Sequence, residues 1–93
     1  MLEFIKFHEI PDEIVYRIGR NANQNNQLIK SALIDDILIQ LKYEPSAHVL
    51  VSLPLNITKK DKKDIIRWGA IFCRKYSNAD SKSSVLYTKI KAN

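Results

Sequence analysis

The sequence predicts an α+β fold: a single small domain with a mainly antiparallel sheet of about five strands, and one short and one long helix packed on it. Three observations carry this expectation. Short runs rich in Ile, Val, Leu and Tyr recur along the chain between polar, turn-forming stretches. One stretch, Lys59 to Tyr76, keeps an unbroken helical period. With 93 residues, 45% of them hydrophobic, two Gly and three Pro, the chain is globular in composition and has room for one core.

Leu2 to Phe7 and Ile14 to Ile18 read as strands joined by a turn at Glu9 to Asp12, where Pro11 has no N–H to give a ladder. Gly19 ends the second run. The asparagines between Asn21 and Asn26 suit a turn that finishes in a helix cap, because short amides bond nearby backbone N–H groups. Leu28, Ile29, Ala32 and Leu33 follow at one-sided helical spacing, predicting a helix of about two to three turns. Ile37 to Lys42 and His48 to Leu53 read as a second hairpin bent at Pro45. Thr58 and Asp61 form a capping-box pattern ahead of the long helix, Lys59 to Tyr76. Its apolar arc, Ile65, Ile66, Trp68, Gly69, Phe72, Cys73 and Tyr76, is expected to face the sheet, with Gly69 permitting close approach. Lys60, Lys63, Arg67, Arg74 and Lys75 fall on the opposite side. Ser77 to Ser84 reads as a loop and Val85 to Lys91 as a last strand.

Charge is placed unevenly. Residues 1–58 hold five Lys or Arg against seven Asp or Glu, a net −2, whereas residues 59–93 hold ten against three, a net +7. Such a basic third favours a polyanionic partner, because each cation set on a phosphate releases condensed counterions. Lys, Ile and Asn together make up 31 of the 93 residues, a bias that also supplies lysines without selection for binding. The lone cysteine, Cys73, makes neither an internal disulfide nor a zinc site. No run of about 18 apolar residues and no basic-then-apolar leader is present, so a cytoplasmic protein without membrane contact is expected.

The candidate site residues each have two readings. Gly19-Arg20-Asn21, at a strand-to-helix connection, brings backbone amides, a guanidinium and a side-chain amide toward a phosphate, or is a polar turn in which Asn21, Asn23 or Asn25 caps the helix. His48 either touches phosphate or base or holds a backbone carbonyl. Lys63, Arg67 and Arg74 form a binding face or a solvated one. Tyr87, Lys89 and Lys91 alternate onto one strand face, as in single-strand binders, or Tyr87 enters the core. Asp35 and Asp36 point to opposite faces if extended, so they do not converge on a metal. A Cys73–His48–Asp36 catalytic set is conceivable, but a thiol in the apolar arc is no nucleophile. No enzyme activity, cofactor or metal is therefore expected.

Gly19, Arg20 and Asn21 closing a strand, Asn25, Leu28-Ile29-Lys30, Asp36-Ile37 and Ser46-Ala47-His48-Val49 follow one another without a gap, and Val85, Tyr87 and Thr88 continue the order. This succession resembles the NFACT-R domain, the RNA-binding module of ribosome quality-control and fibronectin-binding-like proteins, which also occurs as small stand-alone proteins. The resemblance implies a non-enzymatic module binding structured RNA, tRNA or ribosomal RNA, through its phosphate backbone, with Arg20, Asn21, Asn25, His48 and Tyr87 at matched positions; the basic helix face and last strand add Lys63, Arg67, Arg74 and Lys89 as expected contacts. It implies that Asp36 fixes the loop around the Gly-Arg-Asn turn. Leu38, Ile39 and Gln40 stand where the family usually has two rings or similar and a His. Alternative expectations are docking on a ribosome-associated protein, self-association through a strand edge, and DNA binding.

Overall fold

The structure, a computed structural model, describes residues 2–7 and 13–90. Its elements are β1 (Leu2–Lys6), β2 (Glu13–Gly19), α1 (Ala22–Lys30), β3 (Ile37–Leu41), β4 (His48–Val51), α2 (Lys59–Tyr76) and β5 (Val85–Lys89). The five strands form one sheet in the order β1-β2-β4-β3-β5, every neighbouring pair antiparallel. This compact single domain is the α+β class that the sequence predicts. The turn expected at Glu9 to Asp12 lies outside the described residues, as does Lys91, and the last strand ends at Lys89, short of the expected extent.

Strand alternation and register divide the sheet into two faces. Tyr16 stands opposite Val51 and Ile18 opposite Val49, while Ile37 and Ile39 meet the same two valines from the other side. These residues are at most 3% exposed and form the core beneath α2 with Ile65, Phe72 and Cys73. Tyr16 donates from its hydroxyl to the Ile65 carbonyl at 2.6 Å, and its ring meets Phe72 edge-on at 5.0 Å. A Cβ on Gly69 would run into the Ile39 Cδ1 atom, so the missing side chain sets how closely α2 lies on β3.

The arc of α2 is narrower than its period predicts. Ile65, Gly69, Phe72 and Cys73 are buried, but Trp68, at the arc's rim, is 40% exposed and leans on Phe72 at 6.0 Å. Thr58 caps the helix by accepting from the Asp61 N–H at 3.1 Å. At the other end Ala79 N–H donates to the Arg74 carbonyl at 2.9 Å and Asn78 N–H to that of Lys75 at 3.2 Å, with Asn78 at φ 54. This is a Schellman closure with Asn in the left-handed position.

The short helix lies on the opposite face and begins earlier than its apolar spacing predicts. It starts at Ala22, takes most of the asparagine run into its body, and ends at Lys30, leaving Ala32 and Leu33 outside. Asn21 Oδ1 accepts from Gln24 N–H and Gln24 Oε1 accepts from Arg20 N–H, both at 2.9 Å, a variant of the capping box closed through the residue before the cap. What seats the helix is polar: Asn25 is 9% exposed against Gly19, while Ile29 and Leu33 are 41% and 65% exposed.

Asp36 also works elsewhere than the resemblance implies. It is 3% exposed at the end of the sheet remote from Gly19, where it accepts from Leu33 N–H at 2.9 Å and Ser52 Oγ at 2.7 Å and pairs with Arg17 at 3.7 Å. It therefore fixes the connection between α1 and β3, not the Gly-Arg-Asn turn. Asp35, beside it, takes φ 74, a conformation open to Asp because its short side chain bonds locally.

Candidate nucleic-acid interface

β2 ends, β4 begins, α1 begins and α2 ends at the same end of the sheet. That convergence builds the site. Ser46 and Ala47 tie it together. Ser46 Oγ accepts from Leu41 N–H at 2.9 Å, its carbonyl accepts from Asn25 Nδ2 at 3.3 Å, and Ala47 N–H donates to Ser77 Oγ at 2.9 Å. One small-residue pair thus joins the β3–β4 hairpin, α1 and the last turn of α2. A bulky residue there would separate them.

A cavity of about 470 Å³ opens at this junction, lined by Arg20, Asn21, Asn25, Ser46, Tyr76 and Asn78 among others. The Arg20 guanidinium lies 5.4 Å from the centre of the Tyr76 ring, and Lys75 Nζ lies at the same distance. The Tyr76 hydroxyl donates to Glu3 Oε1 on β1, and this bond, with the burial and charge that accompany it, raises the phenol above its ordinary pKa. The first amides of α1, those of Ala22 and Asn23, have no intrahelical partner and give this end a positive partial charge. Beyond Pro45, Tyr43 is 79% exposed with Lys42 Nζ 5.1 Å from its ring centre. The end therefore presents two aromatic rings attended by Arg20, Lys42 and Lys75, opposed by the carboxylates of Glu3 and Glu44.

The structure divides the residues singled out from the sequence. Arg20 and Asn21 stand at the cavity. Asn25 lines it but acts structurally through Ser46, and its Oδ1, like His48 Nδ1, is buried without a hydrogen-bond partner among the described residues. His48, paired with Gly19, shows no exposed Nδ1 with which to reach a phosphate. Arg74 is half-buried and donates through Nε to the Ser83 carbonyl at 3.0 Å, so it holds the loop before β5. Arg67 is exposed in an ion pair with Asp64 at 3.6 Å. Lys63 is exposed nearer the start of α2, about 20 Å along the axis from Tyr76. Lys89 pairs with Asp35 at 3.7 Å at the far end of the sheet. Tyr87 is 57% exposed on the edge strand β5 and does not enter the core. Lys63, Arg67 and Lys89 are therefore not part of the cluster at Arg20.

Lys75 and Tyr76 belong to the cluster, Lys42 and Tyr43 share its end of the sheet, and none of the four is among the site residues expected from the sequence. The adjacent Lys-Tyr pairs at 42–43 and 75–76 are the signal that would have found them. The catalytic set does not assemble. Cys73 is fully buried on the sheet-facing side of α2, where burial pushes its thiol up, His48 alternates onto the other face of the sheet, and Asp36 lies at the remote end. The described residues hold no group of three or more His, Cys, Asp or Glu placed to hold a metal ion. None of the described helices is long and apolar enough to cross a membrane. Comparison with protein-family models, curated proteins and solved structures found no match.

Proposed function

We propose that the chain is an RNA-binding module of the NFACT-R kind that grips the phosphate backbone of structured RNA, tRNA or ribosomal RNA, at the end of the sheet where Arg20 and Tyr76 meet. One observation carries the reading. Arg20-Asn21 and Ser46-Ala47, two parts of the resemblance distant in sequence, line a single cavity together with the cation-flanked ring of Tyr76. Arg20 supplies the fork that matches a phosphate, the α1 amides add donors, and Lys42 and Lys75 attract the neighbouring phosphates. Asn21 shapes the cap, and Asn25 seats the helix. The exposed charges at Lys63 and Arg67 raise the encounter rate from a distance.

The test is fluorescence anisotropy of labelled tRNA across a salt series. Affinity falls steeply with salt, and Arg20→Ala weakens binding and reduces the slope of log K against log salt by about one. A folded wild-type protein that binds no RNA at about 50 mM salt refutes the reading. Competition with duplex DNA ranks the two nucleic acids. A protein-docking reading rests on a different observation: Leu2, Phe4 and Val15 lie exposed together on the outer sheet face at β1 and β2. Its signature is salt-insensitive association lost on Phe4→Ser, with Arg20→Ala silent.

A further inference from the structure

Tyr43 is the most exposed aromatic residue described, yet its loop is tied down on both sides. Just before it Lys42 N–H donates to the Ser84 carbonyl at 2.9 Å, and two residues after it Pro45 has a fixed φ. The loop is pinned again where Leu41 N–H reaches Ser46 Oγ at 2.9 Å. A ring on a mobile loop tip is ordinary surface, whereas a ring on a pinned loop offers its face in one direction at little entropic cost. Lys42 stands over it at 5.1 Å, and a cleft of about 150 Å³ opens beside it between Glu44, Ser83 and Ser84. On the far side of Pro45–Ala47 lies the cavity of Arg20.

We propose that Tyr43 is a stacking platform for one unpaired base, so that the RNA this protein takes presents a loop or single-stranded end here and not a continuous duplex. The proposal rests on the RNA reading above and specifies its ligand. In A-form duplex every base face is occupied by its neighbours, and a protruding tyrosine finds only phosphate and ribose. An unpaired base lays its π-face on the ring while Lys42 neutralises the adjoining phosphate. Glu44 repels a phosphate that would enter the cleft and accepts instead from a base amine. The neighbouring backbone then continues to Arg20, which needs no base.

The experiment compares two labelled RNAs of equal length and charge, a hairpin with an unpaired loop and a blunt duplex, at one salt concentration. They are titrated with wild type, Tyr43→Ala, Tyr43→Phe and Arg20→Ala. Wild type prefers the hairpin. Tyr43→Ala weakens hairpin binding about tenfold or more and leaves duplex binding unchanged, because no charge is lost. Tyr43→Phe binds like wild type, since the ring and not the hydroxyl makes the contact. Equal hairpin affinity for Tyr43→Ala and wild type overturns the proposal, as does equal wild-type binding of hairpin and duplex. If Arg20→Ala then weakens both RNAs, the RNA reading stands and the platform alone falls. If wild type binds neither RNA, both fall.

Discussion

Replacing Gly19 with Ala tests how the site end is built. Gly19 has no positive φ, so the substitution brings no backbone strain and its cost comes from space alone. A Cβ there would overlap Asn25 Oδ1 and lie 2.9 Å from the Asn25 backbone nitrogen and 3.0 Å from its Cα. The amide oxygen can rotate away, but the backbone of α1 cannot, so the first turn must lift from β2 by roughly half an ångström to restore packing distance. Overpacking of this kind costs about 1–3 kcal/mol, and stiffening of the unfolded chain returns about 0.4–1 kcal/mol. The net loss is about 1–2 kcal/mol, a fall in Tm of roughly 5–15 °C for a domain of this size. Thermal and urea unfolding followed by the fluorescence of Trp68, the single tryptophan, measure it directly. Gly69→Ala is the internal comparison. Its Cβ meets side-chain atoms of Ile39 and Tyr16, not backbone, and Ala gains about 1 kcal/mol in a helix interior. It should therefore cost less. A Gly19→Ala protein as stable as wild type, or one less damaged than Gly69→Ala, refutes the argument.

Two further outcomes are expected. Asp36→Asn removes the ion pair with Arg17 and leaves one acceptor oxygen where Leu33 N–H and Ser52 Oγ now use two, and it lowers stability by about 1–3 kcal/mol in urea unfolding without changing the RNA salt slope. Tyr16 has its phenol pushed well above the usual range by burial, so the folded chain holds that proton more tightly than the unfolded one. The corresponding stability is fully present below about pH 10 and is lost as pH rises above it. Tyr16→Phe loses the hydrogen bond to Ile65, about 0.5–1.5 kcal/mol at neutral pH, and flattens the decline above pH 10 in pH-dependent unfolding.

Those features of the fold set by local chemistry were legible in the sequence. Lys59 to Tyr76 announces itself through Thr58, a sustained period and the polar residues that follow, and its bounds match the structure. The strands are bracketed by Gly19, Pro45 and the loop before Val85, whose chemistry acts within a few residues. The short helix was harder because two local signals disagreed. Leu28, Ile29, Ala32 and Leu33 argue for a helix continuing to Leu33, while the Asn21–Gln24 box starts it at Ala22. The box prevails because Asn25 must reach both Gly19 and Ser46, a tertiary demand that no local period contains.

The site was half legible for a related reason. Arg20 and Asn21 sit in a recognisable turn, so their neighbourhood was evident before their partners were. Tyr76 belongs by angle to the apolar arc of α2, yet it falls in the last turn, where it reaches Glu3 on β1 and Arg20 beyond β2. Helical period gives direction around an axis and is silent on where the helix runs past its support. Lys42 and Tyr43 become notable only once the β3–β4 connection is seen to share an end with Arg20. The charge count misleads in the other direction: most excess cations lie in the last third, whereas this end of the sheet draws Arg20 and Lys42 from the acidic part of the chain.

The bond from Tyr76 to Glu3 ties the site to the outermost strand of the sheet. β1 is an edge, and edge strands open at lower free energy than the central strands β2, β4 and β3. Each opening of β1 withdraws the acceptor that orients the Tyr76 phenol, so the readiness of the cavity is set partly by the breathing of a strand that contributes no cation to it. The traffic runs both ways, because a ligand that holds Tyr76 in place also favours the closed strand. Amide hydrogens of β1 would then exchange more slowly when the far side of the ring is occupied, reporting binding from residues the ligand does not touch.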